Sequence, residues 1–275
     1  MRNLQQQVMG TVVSFSLREE KDTTTDGPAG RSAGEAAERQ ARVDEALARA
    51  QAELRWVDDV FSTWKPQSPV SRLRRGEMRL EEAPPEVAEV LELCRIARAA
   101  SGGWFDPWAL PGGVDPTGLV KGWAGQRALE ILKAAGAPAA MVNAGGDIAM
   151  YGQPAPGQTW RVAIQHPQAR DQILLTVDLA GPGAVATSGS YERGEHIFDP
   201  RHRSPTGELL SATVIGHDLG YADALATALY ASRGELLERI ALLEGYHGVI
   251  VDGRGQVHAS RGFPITLAGL EAVPA

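Results

Sequence analysis

A single cysteine, Cys94, in 275 residues excludes an internal disulfide. It lies in the apolar helical pattern Val87-Ala-Glu-Val-Leu-Glu-Leu-Cys-Arg-Ile, where a packing role is expected rather than a nucleophile's. The chain has no run of about eighteen apolar residues, so no transmembrane helix is expected. Its start, Met1-Arg-Asn-Leu-Gln-Gln-Gln, has no apolar core of the kind that makes a secretory signal. A cytoplasmic location is the expectation for the chain as given. Basic charge is also lacking: the net charge is -7, which argues against nucleic acid as a partner, since phosphate contacts need a basic face. Neither a Walker phosphate loop nor a Gly-x-Ser-x-Gly nucleophile elbow is present, and no internal repeat is visible.

What is present is ordinary for a soluble globular enzyme: 43% hydrophobic and 22% charged residues. The length suits one large domain or two small ones. Residues 8–17 alternate like a strand, and further strand patterns cover 139–151, 159–166, 172–179, 211–217, 247–252 and 255–260. Helical patterns cover about 35–61, with Val43, Leu47, Ala50, Leu54 and Val57 facing inward, and about 85–100, 119–135, 221–232 and 234–244. Residues 18–34 are small and polar and predict a flexible loop within a domain. Several strands follow one another without an intervening helix. The fold class is therefore α+β rather than a doubly wound sheet.

Four segments carry chemistry. In Gly220-Tyr-Ala-Asp-Ala-Leu-Ala-Thr-Ala-Leu-Tyr230, helical spacing stacks Asp223 and Thr227 on one face among small residues. Those hard oxygen groups suit Mg²⁺, which takes its remaining ligands from water and phosphates. A capping Asp and a Thr bonded back to a carbonyl are the alternative. Asp115-Pro-Thr-Gly-Leu-Val-Lys-Gly122 opens a helix whose free N–H groups and dipole favour an anion, with Gly118 allowing close approach and Lys121 supplying charge. Helix capping accounts for Asp115 and Pro116 equally well, but not for Lys121-Gly122. Asn143-Ala-Gly-Gly-Asp147 interrupts a strand pattern, marking a ligand contact, a bulge or a tight hairpin turn. Ala186-Thr-Ser-Gly-Ser-Tyr-Glu192 and His196-Ile-Phe-Asp-Pro200 gather small polar groups and a histidine. A Ser188/His196/Asp199 hydrolase can be drawn from them, but it lacks its elbow. Trp64 and Trp104, beside turn residues, either close a core edge or stack on a planar ring.

In order along the chain, these segments resemble the ApbE family, the FAD:protein FMN transferases. The resemblance rests on Met9-Gly-Thr11, Phe61-Ser-Thr-Trp64 with Ser68-Pro-Val-Ser-Arg72, Ser101-Gly-Gly-Trp-Phe-Asp106 and Asp115 through Gly122. It continues through Asn143–Asp147, Ala186–Tyr191, His196–Pro200 and Ala222-Asp-Ala-Leu-Ala-Thr227. It implies an ApbE-like single domain over 1–275, with a mixed, largely antiparallel sheet and packed helices. It further implies an enzyme that splits FAD, attaches FMN to a Thr or Ser hydroxyl of an acceptor flavoprotein and releases AMP, with Mg²⁺ required.

By the same resemblance, Mg²⁺ is held by Asp223, Thr227 and the backbone carbonyl of Gly118. FAD is contacted by Met9, Trp64, Trp104, Phe105, Asp106, Asp115, Lys121, His196 and Ile197. His196 is the first candidate for the base that takes the hydroxyl proton and Asp223 the second. An FAD pyrophosphatase and a non-catalytic FAD-binding protein are the rival readings. The chain departs from the family after Pro200, where Arg201-His-Arg-Ser-Pro205 replaces the usual Thr-Gly turn, and the passage from Asp106 to Asp115 is short. The family is often exported and lipid-anchored, and this chain carries no lipobox cysteine.

Overall fold

The structure is a computed structural model that describes residues 1–19, 33–189, 197–202 and 204–264. Its central feature is an eight-stranded sheet in the order β1-β2-β3-β4-β7-β10-β11-β12. The strands are β1 (Arg2–Val8), β2 (Thr11–Leu17), β3 (Ala140–Ala144), β4 (Asp147–Tyr151), β7 (Gly183–Gly189), β10 (Leu209–Gly216), β11 (His247–Asp252) and β12 (Val257–Ala259). Every described pairing is antiparallel. Two small hairpins stand outside it: β5 (Trp160–His166) with β6 (Ala169–Leu179), and β8 (Phe198–Asp199) with β9 (Ser204–Pro205). The class is α+β, with the sheet antiparallel rather than mixed.

The period-two alternation of the strands sorts side chains onto two faces. Ala149, Ala184, Ala186 and Val214 join the large core under the helices. Their neighbours Met150, Val185 and Ile215 join Trp160, Val162 and Val177 of the β5–β6 hairpin in a second cluster. The helices are α1 (Ala33–Phe61), α2 (Pro69–Arg74), α3 (Pro85–Ala100), α4 (Thr117–Ala134), α5 (Leu219–Ala231) and α6 (Leu237–Ile240). On α1 the predicted inward stripe Val43, Leu47, Ala50, Leu54 and Val57 is buried throughout.

Where element boundaries differ from the sequence reading, turn chemistry is the reason. Residues 8–17 are not one strand, because Met9 and Gly10, at φ 54° and 69°, make a two-residue hairpin between Val8 and Thr11. The 139–151 pattern likewise folds into β3 and β4 about Gly145 and Gly146, at φ 63° and 100°. The helix expected over 234–244 shrinks to Leu237–Ile240. Strand β7 is not among the expected strands and overlaps the polar motif Ala186–Glu192, because its Gly-Ala-Val-Ala-Thr-Ser-Gly sequence is too small-residued to signal β structure. Of the expected 18–34 loop, residues 20–32 lie outside the described residues, and residues 33 and 34 already belong to α1. No described helix is long and apolar enough to cross a membrane.

Helix α4 lies across the helical face of the sheet and packs against α5 through glycine. A Cβ on Gly122 would stand 2.4 Å from the Leu219 carbonyl oxygen and 2.9 Å from Asp223 Cβ, and one on Gly220 would meet Trp123 backbone at 3.1 Å. Both contacts are with backbone or buried atoms that have no room to retreat. Gly122→Ala is therefore expected to cost about 1–3 kcal/mol, read as a lowered urea midpoint at unchanged slope. Gly181→Ala, with nothing within 4 Å of its would-be Cβ, is the control and should shift stability by less than about 0.5 kcal/mol. Equal midpoints for the two variants would show that the helix crossing tolerates a side chain.

Candidate active site

The α4–α5 crossing brings the first group of predicted residues together. Asp223, buried on α5, accepts the Gly122 N–H at 3.1 Å through Oδ2. One turn on, Thr227 Oγ1 lies 3.3 Å from Ser188 Oγ of β7. Gly118, one turn before Gly122 on α4, faces Thr227: a Cβ there would sit 3.5 Å from Thr227 Oγ1 and 3.2 Å from the Phe105 ring. Asp223 is not the cap of its helix, since Asp218 fills that role by accepting the Tyr221 N–H at 2.7 Å. The capping alternative for Asp223 therefore fails. The donors gathered here are a carboxylate, a hydroxyl and the backbone of a glycine, all hard oxygen. Among the described residues no three His, Cys, Asp or Glu side chains cluster for a metal. A sparse oxygen set of this kind fits Mg²⁺, which keeps several waters or phosphate oxygens, and does not fit zinc.

Beside this group, Lys121 Nζ lies 2.5 Å from Asp147 Oδ2, and Asp147 Oδ1 accepts the Thr187 N–H at 3.0 Å. Asp147 is 1% exposed on its side chain and Lys121 22%. A buried carboxylate of this sort requires a close cation, so Asp147 fixes where the Lys121 ammonium points. Asp147 was within a motif singled out from the sequence but was not itself picked as a site residue. Its partner lies 26 positions away, and nothing local announces the pair. The neighbouring turn is the hairpin alternative, with Asn143 Oδ1 accepting the Gly146 N–H at 2.8 Å. It sits against the first hairpin, where a Cβ on Gly145 would fall within 2.3 Å of Thr11 Oγ1. Met9, at the tip of that first hairpin, holds the left-handed conformation that side chains disfavour by roughly 1–2 kcal/mol. Strain of this kind gathers at functional sites.

An aromatic wall closes another side. Ser101 Oγ accepts the Phe105 N–H at 3.0 Å and so shapes the turn after α3. Trp104, Phe105 and Ile197 are buried in the large core. Arg201 lies over the Trp104 ring, 3.8 Å from its centroid. Asp106 accepts from Arg98 Nε at 2.7 Å and from the Trp108 N–H at 3.0 Å. Asp115 is held by Arg74 at 2.8 Å and takes the Thr117 N–H at 3.0 Å, bracing the turn before α4, whose N-cap is Pro116 without a side-chain cap rather than Asp115. Trp64 stands apart from this wall. The residue is 92% exposed, which overturns the core-edge alternative for it. Ser68 and Ser71 both donate to the Ser62 carbonyl, while Ser62 Oγ accepts the Trp64 N–H at 3.2 Å. The Ser-Pro-Val-Ser motif thus serves to hold the turn that displays this ring.

His196 lies outside the described residues, as do Ser190 to Glu195. The remaining members of the imagined hydrolase are otherwise engaged: Ser188 on Thr227 and Asp199 on His202, whose Nδ1 is 2.7 Å from Asp199 Oδ2. Burial of Asp199 opposes its charge. Hydrogen bonds from the His202 ring and from the His202 and Arg201 N–H groups outweigh that and hold its carboxyl below the usual range. Burial pushes the Cys94 thiol up to about 12, which leaves it without nucleophilic character near neutral pH.

Solved structures share this fold along nearly the whole chain. An ApbE protein from Thermotoga maritima superposes with a TM-score of 0.75 at 22% identity, covering 95% of this chain and 97% of that one. The flavin transferase ApbE from Vibrio cholerae gives 0.72 at 21% identity, covering 96% and 99%. Among curated relatives, an FAD:protein FMN transferase from Rhodobacter capsulatus is 35% identical over 151 residues, which cover 52% of this chain and 28% of that protein. Another of that description, from Vibrio cholerae, is 33% identical over 125 residues, covering 42% and 37%. The chain thus spans less than half the length of these two curated relatives in the matched regions. The ApbE family model matches residues 9–113 and 110–249, a span that takes in both hairpin tips, the aromatic wall and the glycine-lined crossing of α4 and α5. By that match the chain belongs to the ApbE family.

Proposed function

We propose that this chain is a Mg²⁺-dependent FAD:protein FMN transferase. In this reading it cleaves the FAD diphosphate, attaches FMN through a phosphoester to a Thr or Ser hydroxyl of an acceptor flavoprotein, and releases AMP. The observation that carries the reading is the oxygen cluster of Asp223, Thr227 and Gly118 at the α4–α5 crossing. The names of the curated relatives support it.

Asp223, Thr227 and the Gly118 carbonyl would hold the ion. A Mg²⁺ bound there would draw charge from the diphosphate and steady the departing AMP. Lys121, aimed by Asp147, faces the same region with a positive charge. Trp64 offers an exposed flat surface for a planar ring, while Met9, Trp104, Phe105, Asp106, Asp115, His196 and Ile197 complete the FAD contacts. The nucleophile is the acceptor's hydroxyl, so no activated Ser or Cys of this chain is required: Cys94 is buried with its thiol pushed up to about 12, and Ser188 is engaged with Thr227. As the hydroxyl oxygen bonds to the FMN phosphorus, its proton passes to a base and the bond to the AMP phosphate breaks. His196 is assigned that proton. Asp223, already accepting the Gly122 N–H, is the second choice.

The test is incubation of the chain with FAD, Mg²⁺ and an acceptor flavoprotein, followed by intact-mass measurement of the acceptor. An added FMN mass that disappears with chelator or in Asp223→Asn is the expected outcome. FMN free in solution with the acceptor unlabelled would instead make this an FAD pyrophosphatase, and FAD left intact would make it a carrier. His196→Gln should lower turnover far more than FAD affinity, and unchanged turnover removes it as the base. Lys121→Ala should weaken FAD binding and also cost roughly 3 kcal/mol of stability, because it strands the buried Asp147 carboxylate. Lost stability with FAD affinity intact would make Lys121 a purely structural residue.

A further inference from the structure

A diphosphate ligand brings negative charge into the site, and the described cations there are not equally free to answer it. Lys121 is already matched to Asp147 at 2.5 Å. Arg74 and Arg98 are likewise matched, to Asp115 at 2.8 Å and to Asp106 at 2.7 Å. Arg201 differs. Among the described residues its guanidinium pairs with no carboxylate, and its contact is the Trp104 ring, 3.8 Å away.

This placement is built rather than incidental. Asp199, 1% exposed, accepts the Arg201 N–H at 2.8 Å and the His202 N–H at 3.0 Å through Oδ1, and faces His202 Nδ1 at 2.7 Å through Oδ2. The turn is thereby pinned to a buried carboxylate. Its hairpin is tied down at the base, where the Thr206 N–H donates to the Ile197 carbonyl at 3.0 Å. Two routes connect it with the oxygen cluster. Trp104 is followed by Phe105, whose ring borders Gly118 beside Thr227. The chain after Thr206 enters β10, whose Ser211 pairs with Gly189, next to the Ser188 that meets Thr227.

We infer that Arg201 is a diphosphate-binding residue of this site, with one guanidinium face on Trp104 and its edge N–H groups presented to the FAD phosphate oxygens. The inference rests on the reading of the chain as an FAD-using enzyme. A guanidinium stacked in advance has little freedom left to lose when it binds, and its fork of donors matches phosphate oxygens as an ammonium does not. Among the described residues no other group takes those edge donors.

Equilibrium titration with FAD and with riboflavin, each with Mg²⁺, tests it on the full chain. Arg201→Ala should weaken FAD about tenfold or more, the scale of a charge-assisted hydrogen bond, and leave riboflavin affinity unchanged. Arg201→Lys should fall between, and FAD binding by the wild type should decline more steeply with salt than binding by Arg201→Ala. Unchanged FAD affinity in Arg201→Ala, or an equal loss for FAD and riboflavin, overturns the assignment while the functional reading stands. A wild-type chain that binds no FAD removes both.

Discussion

The close crossing of α4 and α5 is the constraint on which the rest of the site depends. Where Gly122 meets Leu219 and Asp223, and Gly220 meets Trp123, no side chain intervenes, so the two helices approach backbone to backbone. That approach lets a main-chain N–H of one helix reach a carboxylate of the other. It also places Gly118, at the start of α4, over Thr227, two turns into α5. A wider crossing would leave the same residues present but too far apart to share the one ion proposed for them. The apolar core beneath α5 holds the arrangement, because ten of its neighbours from Leu219 to Ala231 are buried along with Asp223.

Around that crossing, charge is arranged in pairs that each hold a piece of chain in position. Asp147 aims Lys121, Arg74 holds Asp115 at the mouth of α4, and Arg98 holds Asp106 after the aromatic wall. Such pairs add little to stability where they are exposed. Their consequence here is geometric: each ties one segment to another, Lys121 of α4 to β4, Asp115 to Arg74 of α2, and Asp106 to Arg98 of α3. Arg201 breaks the pattern, with an aromatic face in place of a carboxylate.

Much of the architecture was legible in residue order. The apolar stripe of α1 follows from spacing alone, because a helix brings residues three and four apart to one side. Asp223 and Thr227 were readable as neighbours for the same reason, and the cation-binding logic of a carboxylate and a hydroxyl needs only that spacing. Strands that follow one another without an intervening helix pointed to an α+β fold. The eight motifs in family order carried the likeness, since each reflects a local requirement: a turn, a cap or a close approach.

Other features depended on contacts between distant residues, which periodicity does not encode. Met9 as a hairpin tip was hidden because methionine is no turn signal, and its left-handed backbone is imposed by the register of β1 on β2. Lys121 and Asp147 each looked ambiguous alone, and they pair only because α4 packs on β3 and β4. Trp64 and Trp104 appeared alike in sequence, yet one is exposed on a serine-braced turn and the other is buried under an arginine. Local order therefore decided which residues could share a face, because bond geometry repeats along the chain. Which faces meet, and which charges find partners, was decided only when the close-packed interior brought distant segments into one place.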